Sequence, residues 1–529
     1  MKPHTIKLRA LAALVLLATS IPALRAEEPP TAPSAQPTPA AAVVRTQLTL
    51  PRVFSDNMVL QRDRPVPVWG WAPSGEKVTI AFAGQTKTAT ADTEGKWMVT
   101  LDPLKASKEP AALTVSGSRT LTIQNVLVGE VWFCSGQSNM EWLLSKALNA
   151  EAEIAAADHP LIRHFRGSNK PSLEKLDDYA NGGWAVCSPK TAGNFTAAGY
   201  FFAIKLAKEL DLPIGLLNAT EGSSSIDRWI CPEGVRQFPD SKEMAAMLKR
   251  VEDLKAEASS GPANPEKFKQ AVFLAPIGNY YKLVSPLVPY GIRGVLWYQG
   301  ESAGGSPYLP LMKALVGGWR EIWKQGDFPF YYVQLAGFYA TDKALDRANL
   351  NPEKPSGYAG IREVQLQALS INNSGMAVAI DIGEETNIHP SNKQDVGDRL
   401  ARWALAKDYG KNIPFSGPLY KEHTVEGNKI RLAFDHAEDG LFIGEKNGLE
   451  PPREVKDGKI TWITIADKDL KKFVFAEAKI EGNSLVVWSD EVPEPAYVRY
   501  HIIAYPTGLH LYNRAGLPAS PFRWDEKKL

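Results

Sequence analysis

The stretch Val131 to Trp142, VWFCSGQSNMEW, decides how the rest of the chain is read. An apolar, β-favouring run, Val131 to Phe133, stops near Gly136, where a residue without a Cβ lets the chain turn sharply into a helix. Ser138 then stands at a strand-to-helix corner. Its hydroxyl leaves the sheet edge close to the N–H groups that open the helix, a setting that favours a nearby oxyanion and suits a nucleophile. The alternative is that Ser138 and Asn139 only cap the helix, since Ser and Asn lead the N-cap preferences.

Downstream, strand and helix patterns alternate. After Val126 to Cys134 come a helical stretch Thr196 to Leu210, apolar at Ala198, Phe202, Leu206 and Leu210, and a strand Ile214 to Ala219. Strand Gly294 to Tyr298, helix Leu309 to Trp323, strand Phe330 to Leu335, a helix near Ile361 to Ser370, strand Met376 to Ile382 and helix Lys393 to Tyr409 follow. Such alternation predicts an α/β domain over 126–411, a parallel sheet with helices on both faces whose ligands bind beyond the carboxyl ends of the strands. Upstream, over 47–125, short β-rich runs (VPVWGWA, KVTIAFAG, KWMVTLD, AALTVSG, TLTIQNV) broken by Gly, Pro, Asp and Ser turns predict a small antiparallel β-domain. The same pattern returns over 412–529 (KIRLAF, KITWITIA, KFVFAEAKI, SLVVWS, AYVRYHIIAY) and predicts a third, β-rich region. A chain of 529 residues has room for about three domains at ~100–200 residues each.

Residues 1–26 have a basic start, an apolar run from Ala10 to Ala18 and small residues before Glu27, the pattern of a secretory signal peptide cleaved after Ala23 or Ala26. The run is too short to span a bilayer, and no later segment reaches spanning length. An amino-terminal anchor is the alternative. Residues 27–46, EEPPTAPSAQPTPAAAVVRT, hold too much Pro and Ala to pack and predict an extended linker. The expected location is outside the cytoplasm, periplasmic or secreted. Without the leader's Lys2, Lys7, Arg9 and Arg25 the chain has 56 basic and 59 acidic residues, a net of −3 that predicts no nucleic-acid partner. Three cysteines, Cys134, Cys187 and Cys231, allow at most one disulfide and match no zinc spacing.

Three other strand ends carry residues that catalysis needs. TEGSSSIDRW follows Ile214 to Ala219, and its Gly222 lets a backbone N–H approach a ligand closely; an ordinary turn glycine is the alternative. WYQGES ends Gly294 to Tyr298, where Gln299 offers an amide N–H and Gly300 relieves crowding; a buried Gln satisfied by backbone is the alternative. DIGEETNIHPSNK ends Met376 to Ile382, with His389 ahead of Pro390 and a helix. A lone His is more often structural, but this one shares the sheet edge of Ser138, and the chain has eight histidines in all.

The strings FCSGQSNMEW, YGIRGVLWYQGES and IDIGEETNIHPSNKQDVGDRLA resemble the three signature blocks of the sialate O-acetylesterase family, a branch of the SGNH hydrolases. VFSDNMVLQRDRPVPVWGWA near the start and GLPASPFR near the end are also similar to that family. The resemblance implies a flavodoxin-like SGNH hydrolase domain flanked by amino- and carboxyl-terminal β-rich domains, and a serine esterase that removes acetyl groups from sugar hydroxyls without metal or cofactor. It implies Ser138 as nucleophile, His389 as general base, and Gly222 and Gln299 as oxyanion donors beside the Ser138 N–H. Two positions depart from the pattern where an acid often orients the histidine: Thr386 stands three before it and Asn387 two before it. Orientation by a backbone carbonyl near Thr386, by Glu384 or by Asp381 stays open. Ala303, where the family usually has Asn, and Tyr281-Lys282, where it often has Asn-Gly, bear on the substrate more than on the chemistry.

The expected protein is therefore an exported O-acetylesterase acting on a small-molecule or polysaccharide acetylated carbohydrate. A general carboxylesterase on the same scaffold and a carbohydrate-binding protein without catalysis are the alternatives.

Overall fold

The strand that carries Val131 runs well beyond its apolar core. In the computed structural model, which describes residues 46–303, 307–339, 357–469 and 473–525, strand β1 spans Thr120–Gly136. The expected leader (1–26), and the expected linker apart from its last residue, lie outside the described residues. The first half of β1 pairs antiparallel with Ser107–Ser116 and parallel with Val59–Gln61, inside the amino-terminal β-region. Its second half pairs parallel with β4 (Ile214–Thr220) on one side and β5 (Gly294–Tyr298) on the other. The expected joint at 125/126 falls inside this strand, at Asn125 with φ 58°.

Around β1 the sheet is completed by β2 (His159–Ser168), β3 (Asn181–Cys187), β6 (Phe330–Gln334) and β7 (Ser374–Val378), in the order β7-β6-β5-β1-β4-β2-β3. All neighbours are parallel except β3 against β2. Leaving out the β2–β3 hairpin, the strands run 2-1-3-4-5 in chain order, the flavodoxin-like arrangement, and their carboxyl ends share one edge.

The two-residue period of a strand divides its side chains between two cores. Val131 and Phe133 of β1, Val295 and Trp297 of β5, and Phe330 and Tyr332 of β6 join one apolar cluster with Trp319 and Trp323 of helix Tyr308–Trp323. Trp132 and Cys134, Leu296 and Tyr298, and Tyr331 and Val333 join the other, with helices Ala197–Leu210 and Gln394–Lys407. Strands buried on both faces read as continuous apolar runs, which is why these were legible. Beyond 412, antiparallel pairs such as Lys429–Asp435 with Ser484–Trp488 and Ile463–Asp467 with Pro495–Tyr500 surround a third core.

The expected helix after Ser138 is present as a single turn, Ser138–Glu141, closed off where Thr196 Oγ1 donates to the carbonyl of Met140 (2.5 Å) and Ala197 N–H to that of Trp142 (2.8 Å). One expectation is corrected. The last strand ends at Val378 instead of Ile382, and Ile380–Ile382 form a 3-10 turn, so Asp381 is not a strand residue. Arg399 of helix Gln394–Lys407 causes this by taking both the Val378 carbonyl (2.6 Å) and the Asp381 carboxylate (2.6 and 2.8 Å). All three cysteines are buried and free.

Candidate active site

β1 ends in a corner that only glycine can make. Gly136 has φ 135°, and a Cβ there would stand 2.2 Å from the carbonyl oxygen of Tyr298. The next residue, Gln137, donates its N–H to that same carbonyl (3.0 Å), so β1 and β5 stay locked at their carboxyl ends as the chain turns. Ser138 follows, with Gln137 rather than Ser138 in the cap position. Its hydroxyl meets the Nε2 of His389 at 2.8 Å, across 251 residues of sequence.

The histidine loop is built from its own side chains. Glu384 accepts from the N–H and hydroxyl of Ser391 (2.6 and 2.7 Å) and from the Asn387 amide (2.7 Å). Asn387 closes a small ring on His389, accepting from its N–H (3.0 Å) and donating to its carbonyl (2.9 Å). The imidazole stacks on Trp142, with centroids 4.9 Å apart and planes 19° apart. Neither acid considered for its orientation touches the ring. Asp381 is consumed by Arg399 and by the Tyr512 hydroxyl (3.2 Å), and Glu384 by the loop. Among the described residues no hydrogen bond is made to Nδ1. Burial first, then the charges of Lys393 and Lys146, hold the His389 imidazole below the usual histidine pKa.

Gly222 and Gln299 reach the same corner. A Cβ on Gly222 would lie 3.6 Å from that of Ser138. The Gly222 N–H donates to Glu141 Oε2 (2.8 Å), whose other oxygen accepts from Arg166 (2.7 Å). The fully buried Gln299 donates to Gln137 Oε1 and to the Ser224 carbonyl, both at 3.1 Å, and accepts from the Tyr308 hydroxyl at 2.9 Å. Both expected oxyanion donors therefore face protein acceptors. The N–H of Ser138 itself meets no backbone acceptor among the described residues.

Sequence reasoning passed over three residues behind the pair, two of them fully buried. Asn139, considered only as a cap, donates to Glu301 Oε1 (2.5 Å) and to the Ile388 carbonyl (3.0 Å). Its oxygen accepts from Lys393 Nζ (2.7 Å), which also donates to the Pro390 carbonyl (2.6 Å). Burial raises the Glu301 carboxyl above the usual range and pulls the Lys393 ammonium down to about 7, against the pull of Glu301 and Glu384. All three lie inside the motif strings quoted above, which is the signal that marks them. Among the described residues no group of three His, Cys, Asp or Glu side chains is placed to hold a metal.

A flavodoxin-like sheet with a serine hydroxyl and an imidazole hydrogen-bonded across its carboxyl edge is the arrangement that the resemblance to SGNH hydrolases implies. Comparison with known proteins narrows this. The chain is 30% identical over 432 residues to the sialate O-acetylesterase of Mus musculus, covering 72% of this chain and 78% of that protein. The Homo sapiens sialate O-acetylesterase is 28% identical over 406 residues, 69% of this chain and 72% of its own. A crystal structure of a carbohydrate acetylesterase from Xanthomonas citri superposes with a TM-score of 0.75 at 34% identity, covering 91% of this chain and all of that one. No protein-family model matches the chain. The chain belongs to the sialate O-acetylesterase family and is an esterase of that family.

Proposed function

We propose that this protein is an exported carbohydrate O-acetylesterase that works through Ser138 and His389 by way of an acetyl-enzyme. The observation that carries this is the 2.8 Å contact between Ser138 Oγ and His389 Nε2 at the corner where the resemblance placed both. His389 accepts the hydroxyl proton as Ser138 attacks the acetyl carbonyl, then returns it to the departing sugar oxygen. Water repeats the cycle on the acetyl-enzyme, releasing acetate. The Ser138 N–H is one donor to the oxyanion. Gly222 and Gln299 are the others, turning from Glu141 and from Ser224 or Gln137 as the oxyanion develops, since catalytic hydrogen bonds are often long or misaligned before substrate arrives.

The substrate class is an acetylated sugar, free or in a polysaccharide, as the family name and the Xanthomonas citri relative suggest. The mature charge of −3 shows no basic surplus for an anionic glycan, so acetylated xylans and pectins stand beside acetylated sialic acids. Export is supported by the leader at 1–26, and among the described residues no helix is long and apolar enough to cross a membrane. Acetate release across a panel of acetylated sialic acids, xylans and pectins identifies the substrate. Ser138→Ala is expected to abolish release on every member, and fluorophosphonate labelling is expected to fall on Ser138. Activity of that variant within tenfold of the parent would remove the nucleophile assignment.

A further inference from the structure

Among the described residues His389 carries no acid on Nδ1, yet its Nε2 stands at hydrogen-bond distance from Ser138. A ring can be aimed through its own nitrogen or through the backbone it hangs from. Here the backbone is held on both sides. The carbonyl before His389, that of Ile388, accepts from Asn139 Nδ2 at 3.0 Å. The carbonyl after it, that of Pro390, accepts from Lys393 Nζ at 2.6 Å. Lys393 Nζ and Asn139 Oδ1 are joined at 2.7 Å, which closes the clamp. Both side chains are 1% exposed. Asn139 is also the chain neighbour of Ser138, so one side chain spans from the nucleophile's backbone to that of the base.

The orientation of the Asn139 amide is fixed by its partners. An ammonium only donates, so Oδ1 must face Lys393, and both Nδ2 hydrogens then fall on acceptors, Ile388 O and Glu301 Oε1. We propose that Asn139 and Lys393 are the positioning pair of this site, setting the Ser138–His389 distance through the loop backbone in place of an acid on the imidazole. The inference rests on the Ser–His reading above. Charged groups around the imidazole are Lys393 and Lys146, with Glu384 on its own loop and Glu301 behind Asn139. The two lysines oppose protonation of His389 and keep the base neutral into mildly acidic solution.

The isosteric change Asn139→Asp separates positioning from packing. It preserves volume and the contact to Lys393, but it turns two donors into acceptors facing the Ile388 carbonyl and Glu301. With the full-length protein and p-nitrophenyl acetate, Asn139→Asp and Asn139→Ala are expected to lower kcat about 10²-fold with KM within about threefold, the scale of a misplaced catalytic group. Lys393→Arg, which keeps the donors, is expected to retain kcat within about tenfold. Lys393→Met is expected to lower kcat and to move the acid limb of kcat/KM to higher pH, because a neighbouring positive charge is gone. A merely structural role would lower the melting temperature and leave kcat per folded molecule unchanged. Ser138→Ala runs alongside. If it stays active, the Ser–His reading fails; if it is dead while Asn139→Asp keeps kcat within threefold of the parent, only the positioning pair fails. A Lys393→Met variant whose kcat per folded molecule stays within threefold of the parent also overturns the pair, and it can be read even if the Asn139 variants do not fold.

Discussion

At the residue scale, if His389 is the base as proposed, its protonation state sets the working pH. It would then have to be neutral to accept the Ser138 proton, and burial together with Lys393 and Lys146 holds its pKa below the usual ~6.5. Lower pKa means less imidazolium at a given pH, so the acid limb that His389 puts on kcat/KM is expected below about pH 6.5, with a slope of one. A pH–rate profile whose acid limb lies above that value would contradict the environment described. Gln299 gives a second prediction. If it turns to the oxyanion, Gln299→Ala lowers kcat by about 10²-fold with KM little changed, because the contact strengthens only in the transition state. A pure KM effect would make it a substrate-binding residue. Ser138, His389, Gly222 and Gln299 could be named from sequence because each sits at a strand end in a recognisable string. Asn139, Lys393 and Glu301 were not assigned roles, since an amide, an ammonium and a carboxylate that meet across 162 to 254 residues have no local spacing to betray them.

At the scale of single elements, the corner after β1 is the critical one. Gly136→Ala puts a methyl 2.2 Å from the Tyr298 carbonyl at a φ of 135°, where side chains are strained in any case. The cost is expected to be at least ~2 kcal/mol, from the penalty of a left-handed L-residue together with a backbone clash. Thermal denaturation should show a lowered Tm, and residual activity should fall in the folded fraction too, because β1 and β5 part where Ser138 is carried. Strands β4, β5 and β6 and the helices Ala197–Leu210, Tyr308–Trp323 and Gln394–Lys407 were legible within a residue or two, whereas β1 begins six residues before the expected Val126. Their double burial writes long apolar or amphipathic patterns. The hairpin His159–Ser168 with Asn181–Cys187 was missed: Gly167, Gly182 and Gly183 interrupt it, and its outer strand is half exposed. The end of β7 was misplaced because it is set by Arg399, a tertiary partner that no strand pattern announces.

For the whole molecule, Asp381 is a tie and not a catalytic acid. Its buried carboxylate pairs with Arg399 and accepts from Tyr512 of the carboxyl-terminal β-region. Burial alone would raise its pKa, but Arg399 outweighs this and the net direction is down. Asp381→Asn leaves Arg399 buried without its counter-charge and is expected to lower stability by about 3–5 kcal/mol, read as a shifted denaturant midpoint. kcat per folded molecule is expected to change no more than about tenfold, since the group does not touch the imidazole. A depressed carboxyl pKa stabilises fully above its unfolded value, near ~3.9, and that contribution disappears as pH falls through the lower folded value. The parent should therefore lose this increment only in strong acid, and the amide variant should not show it. The same seam is fastened by Gln334 to Ser520 (2.8 Å) and by Arg523 to Glu363 (2.9 and 2.8 Å), which makes the β-region beyond 412 part of the catalytic body.

The seventeen residues of β1 form one ruler shared by two neighbours. Its first half is graduated by the amino-terminal sheet and its second half by the catalytic sheet, so the offset between them is a count of residues along a single strand. Inserting one residue between Val128 and Val131 would exchange the two faces and send Trp132 and Phe133 into each other's cores. Inserting two would restore the faces but carry Ser138 about 7 Å past His389. Loops in this chain can drift in length over generations, and whole surface helices can be traded, but the amino-terminal module cannot be exchanged as a cassette unless the graft keeps that count.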